Sequence, residues 1–274
     1  MRVLDDRDLP AVLDLLNRDP VGNVFVLSRR AAGSLDPRLL GGEMWGYDAG
    51  GRLAAICYAG ANLVPAADDA AALAEFADHA RRRGRRCSSI VGHADSVAAL
   101  WRRLRPSWGP EREARLCQPL LAMVAPSRLA PDPQVRRLRP DELDLLLPAS
   151  VAMFTEEVGV SPLGNDGGSR YRARLRELLE RGRSFARVED GKVVFKADVG
   201  AATAAACQLQ GVWVEPSWRG RGIAAAAMSA VVAACLQDVA PTVSLYVNDY
   251  NVRARRTYQR VGFEQVGTFA SILF

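Results

Sequence analysis

The stretch that most constrains this chain is Val212-Trp-Val-Glu-Pro-Ser-Trp-Arg-Gly-Arg-Gly-Ile-Ala224. A strand-like run ends at Glu215-Pro216, because proline cannot donate to a sheet ladder. An alanine-rich helix begins near Gly222. Gly220 and Gly222 permit a tight turn and leave successive backbone N–H groups bare. The helix start adds unpaired donors and partial positive charge, which suits a phosphate or pyrophosphate. Arg219 and Arg221 add charge-assisted hydrogen bonds. No Gly-Lys-Ser/Thr follows, so this is not a P-loop. The full Gly-x-Gly-x-x-Gly of dinucleotide folds is also missing, and hairpins rather than a βαβ unit precede the turn. Alone, the stretch also reads as a plain strand-to-helix turn with solvated arginines.

The surrounding pattern is α+β. Residues 125–133 hold three prolines and read as an extended linker, which divides the chain into 1–124 and 134–274. Beyond it the spacing predicts a strand at 135–138, a helix over 141–158 disturbed by Pro148, and a turn-rich loop at 161–168. A helix capped by Ser169 and ending at Gly182 follows. Strands at 184–189 and 192–199 are joined by a Glu-Asp-Gly hairpin, with a third at 204–214. Then come a helix over 222–236, a strand over 242–247, a helix over 251–261, and one or two strands to Phe274. The first half repeats this order in outline. It has a hairpin at 48–52, a helix over 68–83, a strand at 89–91, a helix over 96–104 and a strand over 115–124, consistent with a diverged internal duplication.

A second motif sharpens the first. Asn251, Ala254, Tyr258, Gly262 and Phe263 stand in the pattern Asn-x-x-Ala-x-x-x-Tyr, then Gly-Phe. With Arg219-Gly-Arg-Gly222 before it, the region 134–274 resembles the GCN5-related N-acetyltransferase (GNAT) family. The whole chain resembles two-part bacterial members of that family. The resemblance implies tandem GNAT-like mixed sheets flanked by helices, with the N-terminal copy degenerate.

The resemblance further implies acetyl-CoA as donor. Its pyrophosphate would rest on Gly220, Arg221, Gly222, Ile223 and Ala224, beside Arg219. Its arm would run like an extra strand along Gly211, Val212, Trp213 and Val214, in the gap between that strand and the one over 242–247, with Asn251 and Ala254 nearby. Tyr258 would protonate the departing thiolate. The family often places a glutamate where this chain has Gln208, and glutamine cannot act as a base. Glu156 and Glu157, just before the glycine-rich loop, are the replacement carboxylates, with Asp198 and the Phe274 carboxylate as further candidates. Ser217 also departs from the family's usual Gln or Arg. The expected acceptor is a small-molecule or peptide amine attacking the thioester directly.

The first half has Val64-Pro-Ala-Ala-Asp-Asp-Ala70 where that turn would lie, and Trp101 near the tyrosine position. Asp68 and Asp69 would repel a pyrophosphate, so residues 1–124 are expected not to bind acetyl-CoA. His79 and His93 are expected in surface or capping roles, with no metal site. Five scattered cysteines without a CxxC argue against disulfides and zinc, and each reads as a small buried residue. The compartment expected is a reducing cytoplasm. No apolar run reaches membrane-spanning length. Charge is spread evenly along the chain, which argues against a nucleic-acid field. Of the 36 cations only Lys192 and Lys196 are lysine, a usage that looks like coding bias. Two rivals stand beside the transferase: an acyl-CoA-binding sensor or partner-binding module without turnover, and a transferase using an aminoacyl-tRNA donor.

Overall fold

The computed structural model describes residues 1–29, 33–164 and 167–274. Two residues of the 161–168 loop therefore lie outside the described residues. In chain order the elements are β1 (Arg2–Val3), α1 (Leu9–Leu16), α2 (Val24–Arg29), α3 (Pro37–Leu40), β2 (Gly42–Ala49), β3 (Arg52–Gly60), β4 (Asn62–Ala66), α4 (Ala70–Arg83), β5 (Ser89–His93), α5 (Ala94–Trp108), β6 (Glu113–Met123), β7 (Val135–Arg137), α6 (Leu143–Val158), α7 (Ser169–Glu180), β8 (Ser184–Glu189), β9 (Lys192–Ala202), β10 (Cys207–Val214), α8 (Ile223–Asp238), β11 (Val243–Tyr246), α9 (Val252–Val261) and β12 (Glu264–Leu273). Pro148 is carried inside α6 rather than splitting it. The cap of α7 is Gly168, not Ser169.

Two compact units result. The first joins Met1–Leu121 with Tyr246–Asn251 and Gln265–Phe274, and the second joins Ala122–Leu245 with Val252–Glu264. The units are thus discontinuous in sequence, unlike the expected 1–124 and 134–274. The final strand pairs antiparallel with β5 of the first unit, Phe269 opposite His93 through Leu273 opposite Ser89. Alternation along a strand reports which face is buried, not which sheet the strand joins. Phe274 goes with it, its ring edge-on to Trp101 and Trp108. The C-terminal residue therefore groups with the unit that lacks the glycine turn.

The strand order is β1-β2-β3-β4-β5-β12-β6 in the first unit and β7-β8-β9-β10-β11 in the second. Each begins with four strands in antiparallel succession, and each then adds a parallel neighbour, β5 or β11. The duplication expected from the sequence is therefore visible in topology. In the first unit, alternate residues serve two cores. Met44, Ile56 and Tyr58 pack with α1 and α2, while Trp45, Ala55 and Cys57 pack with α4 and α5. In the second, α6 and α7 cover β9, burying Leu146, Leu175, Leu178 and Ala186. The Glu-Asp-Gly hairpin holds Asp190 and Gly191 at φ 48° and 70°, the left-handed pair that a tight hairpin needs. Of the five cysteines, four are buried as expected and Cys117 is exposed.

The first unit has only Ala67, Asp68 and Asp69 between β4 and α4, and Asp69 caps that helix through the N–H groups of Ala71 and Ala72. His93 occupies the N-cap position of α5 but its side chain makes no capping bond; its Nε2 lies 2.7 Å from Asp19 Oδ2. The Asp19 carboxylate raises the His93 pKa, and His93 lowers that of Asp19. His93 contributes stability below its ordinary 6.5, lost as pH rises through its raised value. Asp19 contributes above its ordinary 3.8, lost as pH falls through its lowered value. The difference in Tm between wild type and His93→Gln should thus be largest between those limits and close in mild alkali. An unchanged gap from about pH 5 to about pH 9 would refute the pairing.

Candidate active site

The site is built where β10 parts from β11. The two strands pair only at Cys207–Val243 and Gln208–Ser244. From Leu209 to Val214, β10 continues with no β11 residue in register, leaving a strand edge of backbone donors and acceptors. On its other side β10 is held by β9, but with a bulge. Gln210 faces Asp198 and Trp213 faces Lys196, so Gly211 and Val212 stand opposite one residue.

Beyond Val214 the chain makes the glycine turn. The Glu215 carboxylate accepts from the Ser217 N–H at 2.8 Å and from the Ser217 hydroxyl, closing a single helical turn at Pro216–Trp218. Gly220 and Gly222 follow at φ 76° and 78°. A Cβ at either would meet nothing within 4 Å, so the space above both is open. Gly222 is the N-cap of α8 and supplies no side chain to cap it. The first N–H groups of this helix therefore face outward without a side-chain acceptor. Arg221 stacks over the Trp218 ring, 5.0 Å from its centroid, and among the described residues it makes no ion pair. A bare turn, an uncapped 16-residue helix and a free guanidinium fit a pyrophosphate.

Arg219 differs from the expectation. Its two terminal nitrogens hold Glu156 at 2.8 and 2.6 Å, and its Nε donates to the Val214 carbonyl at 2.9 Å. It braces the turn against α6 rather than facing a phosphate. The same contact corrects Glu156 as a base. Its carboxylate also accepts from Trp213 Nε1 at 3.2 Å, and Arg219 holds its pKa below the ordinary carboxylate value. A carboxylate stabilised as the anion is a poorer proton acceptor. Trp213 in turn is buried toward α6, so β10 offers backbone, not this indole, along its edge.

Tyr258 lies on α9, which packs on α8, with Ala254 one turn before it. Tyr258 is buried, its ring edge-on to Phe263, and its hydroxyl makes no hydrogen bond among the described residues. Burial, then the negative charge of Glu157, push its pKa well above 10. The Glu157 charge, at the end of α6, is thus felt at Tyr258. Asn251 immediately precedes α9 and is exposed, but it groups with the first compact unit. Gln208 is buried at the last paired position of β10. Sequence reasoning missed Trp218 under Arg221, the bracing by Glu156, and Lys196 with Asp198. Only the isolated lysine in an arginine-rich chain offered a signal for the last.

Two units of one strand order, the second opening into a bare glycine turn, define a tandem acetyltransferase-type fold. The acetyltransferase (GNAT) family model matches residues 154–263. Residues 42–146 match a domain of unknown function, DUF4081. No curated protein matches the chain. Among solved structures, a GCN5-related N-acetyltransferase from Sphaerobacter thermophilus aligns with TM-score 0.62 at 20% identity, covering 99% of this chain and 94% of that one. A tandem GNAT protein from the clavulanic acid biosynthesis pathway aligns with TM-score 0.59 at 14% identity, covering 99% and 98%. A GNAT-family acetyltransferase from Colwellia psychrerythraea gives 0.57 at 13%, covering all of both chains. At these identities the likeness is one of fold. Among the described residues no helix is long and apolar enough to cross a membrane, and no cluster of metal-ligating side chains occurs.

Proposed function

We propose that the second unit transfers an acetyl group from acetyl-CoA to an amine by direct attack on the thioester, in a reducing cytoplasm. The observation that carries this reading is the bare Gly220–Gly222 turn at the uncapped start of α8, set beside an unpaired strand edge. The turn and Arg221 would hold the pyrophosphate. The free edge of β10 would hold the arm by backbone hydrogen bonds. Acetyl-CoA supplies the activated acyl group.

Tyr258 stays protonated through the neutral range, since its pKa is raised. It therefore acts as a donor. Thiols titrate near 8.5, below this tyrosine, so its help is a hydrogen bond to the departing sulfur more than complete proton transfer. With Gln208 unable to accept a proton and Glu156 committed to Arg219, Glu157 is the carboxylate that draws the acceptor amine and takes its proton. The expected acceptor is a small-molecule or peptide amine.

The test is calorimetry of purified protein with acetyl-CoA, followed by thioester consumption on a panel of primary amines. Absence of acetyl-CoA binding refutes the reading. Binding without turnover on any amine favours the sensor instead.

A further inference from the structure

Lys196 and Asp198 lie two residues apart on β9 and so share one face. Lys196 is fully buried and Asp198 is 3% exposed. Lys196 Nζ donates to Asp198 Oδ2 at 2.6 Å and to the Gly211 carbonyl at 3.1 Å. Gly211 is the bulge residue, at φ 59°. A Cβ there would stand 3.0 Å from Lys196 Nζ, 3.0 Å from Met153 Cε and 3.3 Å from Asp198 Oδ2. Glycine is needed both for the conformation and for the approach of the ammonium. Asp198 Oδ1 is buried with no hydrogen-bond partner among the described residues.

This pair is a poor device for stability alone. Desolvating two charges commonly offsets their attraction, and well-packed apolar residues of similar volume often do as well or better. A carboxylate oxygen left without a partner adds to the cost. The third member of the arrangement explains it better. At Gly211 the β10 backbone has left β11, and its carbonyl is bonded from inside the sheet by the ammonium. Lysine suits that place, since a compact ammonium can bond a carboxylate and a carbonyl at once. The more voluminous guanidinium of arginine would not fit a gap where even a methyl group crowds Nζ.

We infer that Lys196 and Asp198 form a buried clamp that fixes the peptide planes of the Gly211–Val212 bulge, and through them the β10 edge that receives the acyl arm of the donor. The ligand in this inference rests on the reading above. Lys196 is a positioning residue, acting through Gly211. Breaking the clamp should weaken whatever uses the edge and spare whatever uses only the turn.

The experiment compares wild type, Lys196→Met and the double variant Lys196→Met with Asp198→Leu. The double variant removes both charges and so avoids leaving one buried alone. Acetyl-CoA serves as the long probe, and adenosine diphosphate as a probe with the pyrophosphate but no arm. Expected is a loss of about tenfold or more in acetyl-CoA affinity with adenosine diphosphate unchanged, in a double variant of undiminished Tm. Hydrogen exchange of the unliganded protein should quicken at the amides of residues 211–214. Wild-type affinity for acetyl-CoA in the double variant overturns the clamp, as does an equal loss of both probes. If wild type binds no acetyl-CoA, the proposed function fails by itself. Exchange then decides the clamp: faster amides at 211–214 support it, and unchanged ones overturn it.

Discussion

Gly222→Val should abolish useful acetyl-CoA binding, weakening it about 100-fold or more, or roughly 3 kcal/mol. Two effects combine. Gly222 sits at φ 78°, where a β-branched residue is strained by about 1–3 kcal/mol. Relieving the strain would turn the first N–H groups of α8 away from their common focus. If the backbone instead holds, the new side chain enters the open space where the pyrophosphate belongs. Calorimetry measures the loss, and a thermal melt checks that it is local. A strain of that size shifts Tm by only about 2–4 °C for each kcal/mol in a domain of this scale. Gly222→Asn separates the two effects, because asparagine tolerates the left-handed region. It should restore most of the Tm but not the affinity. Wild-type affinity in the valine variant would show that the glycine turn does not hold the donor.

Some of this could be read from the sequence for definite reasons. Glycines at left-handed positions leave a signature, because few other residues take them, and Gly220 and Gly222 were legible on that ground. The place of Tyr258 came from the resemblance carried by Asn251, Ala254, Gly262 and Phe263, and Ala254 and Tyr258 do share α9. The hairpin at Glu189–Gly191 followed from local turn chemistry. What failed was long-range. Glu156 and Arg219 are 63 positions apart, and no local pattern says that a carboxylate before a loop will neutralise an arginine in the turn. The place of β12 is of the same kind. Its run of residues reads as a strand, but pairing with β5 depends on the whole sheet. Lys196 combined both limits. Its rarity was visible, yet its burial and its bond to Gly211 come from register between β9 and β10, which a bulge shifts by one residue.

Tyr258→Phe should lower kcat for thioester consumption about 100-fold while leaving the KM for acetyl-CoA within about threefold. The hydroxyl makes no hydrogen bond in the unliganded protein among the described residues, so its removal leaves no buried partner unsatisfied. The ring contact with Phe263, with centroids 5.9 Å apart, is preserved by phenylalanine. Folding and Tm should therefore stay near wild type. The loss falls on kcat because the sulfur becomes anionic only as the thioester breaks, and a donor placed there strengthens its bond at that point. The pH profile supplies a second check. With its pKa raised above the ordinary 10.0, Tyr258 should contribute no falling limb below that pH, so the profiles of wild type and variant should have the same shape there. A kcat unchanged by the substitution would assign Tyr258 to packing and move the donor role elsewhere. An equal rise in KM with kcat intact would mean the hydroxyl binds the donor without favouring the transition state, since uniform binding alters KM alone.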